Sequence, residues 1–128
     1  MADRQVAGVD PFDLPEWLGT EEVTWAAASS VRGEPRVTGE LTGGDCSLIC
    51  DLLAADQAFP APVLPEDWRS RAHQAWTYGQ VLLLDDEGRL TLAVPGSAFS
   101  ADLALETLAR LARGVGVEPR RFSVRLRL

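Results

Sequence analysis

The stretch QVLLLDDEGRLTLAVPG, residues 80–96, constrains the fold more than any other part of the chain. Two apolar runs of strand length flank the tetrapeptide DDEG, and that combination makes a β-hairpin. The next stretch, SADLALETLARLARGVG (100–116), changes period. Ala101, Ala104, Leu105, Leu108, Leu111, Ala112 and Val115 recur every three or four residues, with Asp102, Glu106, Arg110 and Arg113 opposite. This is an amphipathic helix, with Ser100 as its N-cap and Gly114 and Gly116 at its end. The period then returns to two in RRFSVRLRL. Phe122, Val124, Leu126 and Leu128 alternate with Arg121, Ser123, Arg125 and Arg127, which marks a half-buried strand.

Upstream, the signals are weaker. Residues 1–9 read as a disordered N-terminus. Residues 10–20, DPFDLPEWLGT, read as an extended arm, because prolines interrupt any regular element. VTWAAASS suggests a strand over about 22–29, RVTGELTG a second, and CSLICDLLA a third. The third has apolar residues on both faces, which suits a central strand. A Pro-rich connection, DQAFPAPVLPED, leads into the helix PEDWRSRAHQAWTYG, whose Trp68, Ala72, Ala75 and Trp76 share one face. The expected order is βββ-α-ββ-α-β. It implies an α+β fold: an antiparallel sheet of about six strands with two helices packed on one face, in a single domain over residues 10–128.

Charge narrows the classes of partner. The formal net charge is −7. It is uneven: residues 1–67 carry thirteen carboxylates and three arginines, while residues 68–128 carry six carboxylates and nine arginines. An acidic protein is repelled by nucleic acid unless it bears a local basic patch, so nucleic-acid binding is disfavoured. Two patches are to be considered: RSR, with Arg69 and Arg71 near the start of a helix, and the row Arg121, Arg125 and Arg127. All basic residues are arginine, and lysine and asparagine are absent, a bias that a GC-rich genome produces without any selection for phosphate binding. No apolar run approaches the ~20 residues of a membrane span, and no signal peptide is apparent, so a cytoplasmic location is expected.

Chemistry-bearing residues are sparse. His73 is the only histidine. With Trp76 beside it, it could line a pocket between helix and sheet, which is the basis of a small-ligand or enzyme reading. Cys46 and Cys50 lie too far apart along a strand for a disulfide and are expected to be buried small apolar residues. Zinc would need further Cys or His ligands, so no metal is expected. Asp85, Asp86 and Glu87 belong to a turn, and Asp51 and Asp56 could join them only through folding. The glycines of TGGD and GVGVEP match no phosphate-binding pattern. No cofactor is implied.

The opening arm carries the most unexplained apolar surface: Phe12, Leu14, Trp17 and Leu18, with Asp10, Asp13 and Glu16 between them. Either it lies across its own domain or it reaches a second molecule. The element order resembles the small α+β fold of type III secretion chaperones and their bacterial relatives, departing from it in lacking a clear first helix and adding a last strand. The composition is similar to that of small actinobacterial proteins. The chaperone resemblance implies a non-enzymatic protein-binding, adaptor or chaperone-like role. The partner is then a protein or a second copy of the chain in a homodimer, met through the arm and the arginine row.

Overall fold

The computed structural model describes residues 6–56 and 66–128. The strands are β1 (Val6–Gly8), β2 (Val23–Ala27), β3 (Arg36–Val37), β4 (Gly39–Gly43), β5 (Cys46–Ala54), β6 (Leu82–Asp86), β7 (Arg89–Val94) and β8 (Phe122–Arg125). The helices are α1 (Trp17–Thr20), α2 (Glu66–Thr77) and α3 (Ala101–Gly114).

The strands form one eight-stranded sheet in the order β1-β6-β7-β5-β4-β2-β8, with β3 also on β5. It is not the six-stranded antiparallel sheet expected. Two strands were hidden in the sequence. Val6–Gly8, within the segment expected to be disordered, pairs with Leu84–Asp86. RVTGELTG divides at Thr38 into β3 and β4, both on β5 in one unslipped register, Val37 opposite Leu52 and Glu40 opposite Ile49. Two of the pairings are parallel, β5 with β7 and β2 with β8. Parallel neighbours need a crossover, which α2 and β6 supply between β5 and β7.

The helices also differ from expectation, because they cover opposite faces. Along β5, Cys50, Leu52 and Ala54 join one buried cluster with Leu92, Val94, Leu108 and Ala112, beneath α3. Leu53 and Ala55 join a second with Ala72, Leu84 and Ala93, with Trp68 packed against it beneath α2. Side chains alternate between faces along a strand, so a strand apolar at both parities must be covered on both sides. Trp25, fully buried, lies on the α3 side, across the sheet from Trp68.

Local chemistry sets the element ends. Ser100 accepts a hydrogen bond from the Leu103 N–H and starts α3. Glu87 and Gly88 both have positive φ, which a two-residue hairpin turn requires, and Asp85 accepts from the Gly88 N–H. Of the Pro-rich connection DQAFPAPVLPED, residues 57–65 lie outside the described residues, and Glu66 and Asp67 open α2.

On the α2 side of the sheet, only the β6-β7-β5 half is roofed by a described helix. Ser47 and Ile49 at the start of β5, and Glu40, Ser123 and Arg125 on the strands beyond it, are exposed.

Candidate interaction surface

The opening segment folds back on its own domain, and as turns rather than an extended arm. Asp10 caps a 3₁₀ turn over Pro11–Asp13 by accepting from the Phe12 N–H at 2.9 Å. A single helical turn, α1, follows. Leu18 is fully buried in the α3-side core, and Leu14 and Trp17 pack half-buried against it. The Trp17 ring lies against Gly43, where an added Cβ would come within 2.7 Å of it. Phe12 alone remains outside, 94% exposed. Three of the four apolar anchors are therefore used within the chain. Beside them runs an open groove of about 500 Å³ between Phe12, Pro15 and Glu16 on one wall and Gly114 and Val115 on the other.

Strand β8 is an edge strand. It pairs with β2, Val23 opposite Phe122 and Ala26 opposite Arg125, and no described strand lies on its other side. Its arginines differ in their engagement. Arg121 donates from Nη2 to the Thr20 carbonyl at 2.7 Å, and its Nε lies 3.7 Å from Glu22. Arg127 donates from Nη1 to the Ala28 carbonyl at 2.9 Å but has no carboxylate partner among the described residues. The Arg125 side chain is exposed and, among the described residues, its guanidinium makes no hydrogen bond or ion pair. The apolar row is incompletely covered: Phe122 is buried, Val124 and Leu126 are half-buried, and Leu128 is 77% exposed.

His73 and Trp76, the two residues of the expected pocket, are placed differently. His73 is exposed on α2 and does not line the groove beside Phe12. Trp76 packs against the α3-side core, with the Arg110 guanidinium stacked 3.5 Å from its ring centre. Arg110 also donates to the Trp76 carbonyl and pairs with Glu106. Of the cysteines, Cys50 is buried as expected, whereas Cys46 is exposed at the β4–β5 turn. Burial, reinforced by the neighbouring Asp51 charge, pushes the Cys50 thiol far above its ordinary range.

One polar cluster was not recognised in the sequence. Asp51, fully buried in the middle of β5, accepts from Arg89 Nε at 2.6 Å, Arg89 Nη2 at 3.0 Å and Arg36 Nη2 at 2.8 Å. Arg36 Nη1 reaches Asp86 at 2.7 Å, and Thr91 lies within the cluster. At the start of β4, the Gly39 N–H also donates to Asp51, while the Trp25 indole N–H donates to the Cys50 carbonyl. Burial raises the Asp51 pKa, but the hydrogen bonds from Arg89, Arg36 and Gly39 outweigh it and hold the carboxyl below its ordinary value. Asp51 and Asp86 do meet through folding, bridged by an arginine. No group of three metal-ligating side chains occurs among the described residues. Among the described residues, two carboxylates meet two arginines here, and the cluster ties β3, β5, β6 and β7 together. Its sequence signal was a carboxylate inside an apolar run, CDLLA.

No described helix is long and apolar enough to cross a membrane. Comparison of the chain with protein-family models, with curated proteins and with solved structures finds no match.

Proposed function

We propose that this chain is a non-enzymatic protein-binding module of adaptor type, and that its partner engages the open edge of the sheet at β8. The observation that carries this reading is the unpaired outer edge of β8 together with its unengaged Arg125 guanidinium, among the described residues. An edge strand is a row of backbone donors and acceptors ready for another strand. Two groups that could have carried chemistry are engaged elsewhere: Asp51 is held by two arginines and the Cys50 thiol is buried.

Self-association as a homodimer has less support than binding a different protein. The segment that would clasp a second copy already places Leu14, Trp17 and Leu18 against its own core. The reading includes a cytoplasmic setting, in which the Cys46 and Cys50 thiols stay reduced.

The test is recovery of the tagged chain from its native cell, with quantitative mass spectrometry of what elutes. The reading expects a stoichiometric protein partner at physiological salt. That partner should be depleted when Arg125→Glu replaces the wild type and kept when His73→Ala does. A chain that elutes without any stoichiometric protein, or one whose partner is indifferent to position 125, contradicts it.

A further inference from the structure

The β8 edge has a chemistry that selects what it pairs with. Its two side-chain rows face different surroundings. On the α3 side lie Phe122, Val124 and Leu126, buried to half-buried, with the apolar row continuing to the exposed Leu128. On the other side lie Ser123 and Arg125, on the half of the sheet that no described helix roofs, and Arg127 follows just past the strand's end, where its carbonyl accepts from the Val31 N–H. A strand laid against this edge would complete the cover over Val124 and Leu126. Its alternate side chains would stand directly across from Ser123 and Arg125, with Arg127 just beyond.

A second copy of β8 does not suit the edge. In an antiparallel self-pair centred on Val124, Arg125 faces Ser123 of the other copy and Arg127 faces Arg121. All the arginines of both strands then crowd one face. Like charges opposed across a strand pair are destabilising, and charged side chains on an edge are a known guard against indiscriminate pairing. Nor are these charges already satisfied. Among the described residues, only Arg121 of the row has a carboxylate near it, Glu22. Arg125 and Arg127 have no carboxylate partner there, on a protein of net charge −7.

Resting on the protein-binding reading above, we infer that β8 takes an extended acidic segment of a partner protein by strand addition, in which apolar residues alternate with Asp or Glu. The apolar residues seat beside Val124 and Leu126. The carboxylates stand against Arg125 and Arg127. Backbone hydrogen bonds to the free edge supply sequence-independent affinity, and the arginine row supplies the choice of partner. Antiparallel pairing is the more stable sense.

The experiment uses fluorescein-labelled peptides and fluorescence polarisation with the full chain. The probe Glu-Val-Glu-Val-Glu-Leu-Glu should bind. Arg-Val-Arg-Val-Arg-Leu-Arg and a block isomer with all carboxylates at one end should bind at least about tenfold more weakly, the scale of two or three opposed charge pairs changing sign. Arg125→Glu should weaken the acidic probe by about tenfold and strengthen the basic one. This swap is a rescue that misfolding cannot mimic. Equal binding of the alternating and block peptides, or an acidic-probe affinity unchanged by Arg125→Glu, overturns the inference, as does the absence of any binding.

Failure of the wider reading is distinguishable. If the chain recovers a stoichiometric partner from its cell while the acidic probe fails, protein binding stands and the acidic strand does not. If neither binds, both fall.

Discussion

Replacing Asp51 with asparagine keeps the shape of the side chain and removes its charge. The buried carboxylate accepts two hydrogen bonds from Arg89, one from Arg36 and one from the Gly39 N–H. The substituted amide would turn an NH₂ group toward an arginine that needs an acceptor. Removing one partner of a buried ion pair costs about 3–5 kcal/mol when the other charge is stranded. The arginines here are not fully stranded, since their side chains are 24% and 40% exposed and can regain water. We therefore expect Asp51→Asn to cost about 2–4 kcal/mol, measured by urea unfolding at pH 7. The loss should depend on pH in a definite direction. The Asp51 pKa is lowered in the folded state, so the unfolded chain takes up a proton there first as pH falls. The stabilisation from its charge is complete above the ordinary carboxylate value of about 3.9 and is lost as pH falls through the folded value. The gap between wild type and Asp51→Asn should therefore close in acid. A loss below about 1 kcal/mol at pH 7, or a gap that stays constant as far down in pH as folding can be followed, would refute the cluster's role in joining the strands.

Three further outcomes follow from the packing. Gly39→Ala drives a Cβ into the Trp25 ring, which is fully buried and tied through its indole N–H to the Cys50 carbonyl, so unfolding free energy should fall by about 1–3 kcal/mol with a change in native tryptophan fluorescence. Leu108→Ala, at the buried centre of the α3 face, should cost about 2–5 kcal/mol by denaturant titration, and a cost under about 1 kcal/mol would mean that α3 does not seal the core. A thiol reagent should modify Cys46 quickly and Cys50 only on unfolding, giving one label per native chain and two per denatured chain in mass spectrometry; rapid double labelling contradicts the placement of Cys50.

The elements legible in the sequence are those with long, clean periods: the β6–β7 hairpin, α2, α3, β8 and the apolar run of β5. Pairing is not legible there, because a period of two says that a strand is half-buried and nothing about its neighbour. β8 lies beside β2, across almost the whole chain, and in the parallel sense. Val6–Gly8 is too short to show a period at all. The opposite placement of the helices does leave a trace. CDLLAA in β5 carries apolar residues at both parities, which a sheet covered on only one face could not bury. The opening segment is not an extended arm because proline does not forbid every regular element: Pro11 opens a 3₁₀ turn whose first N–H needs no partner. At the candidate surface, the alternation of RRFSVRLRL shows the arginine row. That β8 is an edge, and that the Arg125 guanidinium has no described partner, comes only with the fold.

The central claim is that the partner of this chain adds to the β8 edge. Hydrogen–deuterium exchange on the chain, alone and bound to the partner recovered from its cell, tests this most directly. In the free chain, the β8 amides that point away from β2 should exchange quickly, and on binding they should become slow, with the added protection centred on this strand. Protection that appears over the Phe12 groove or α2, with β8 unchanged, would contradict it.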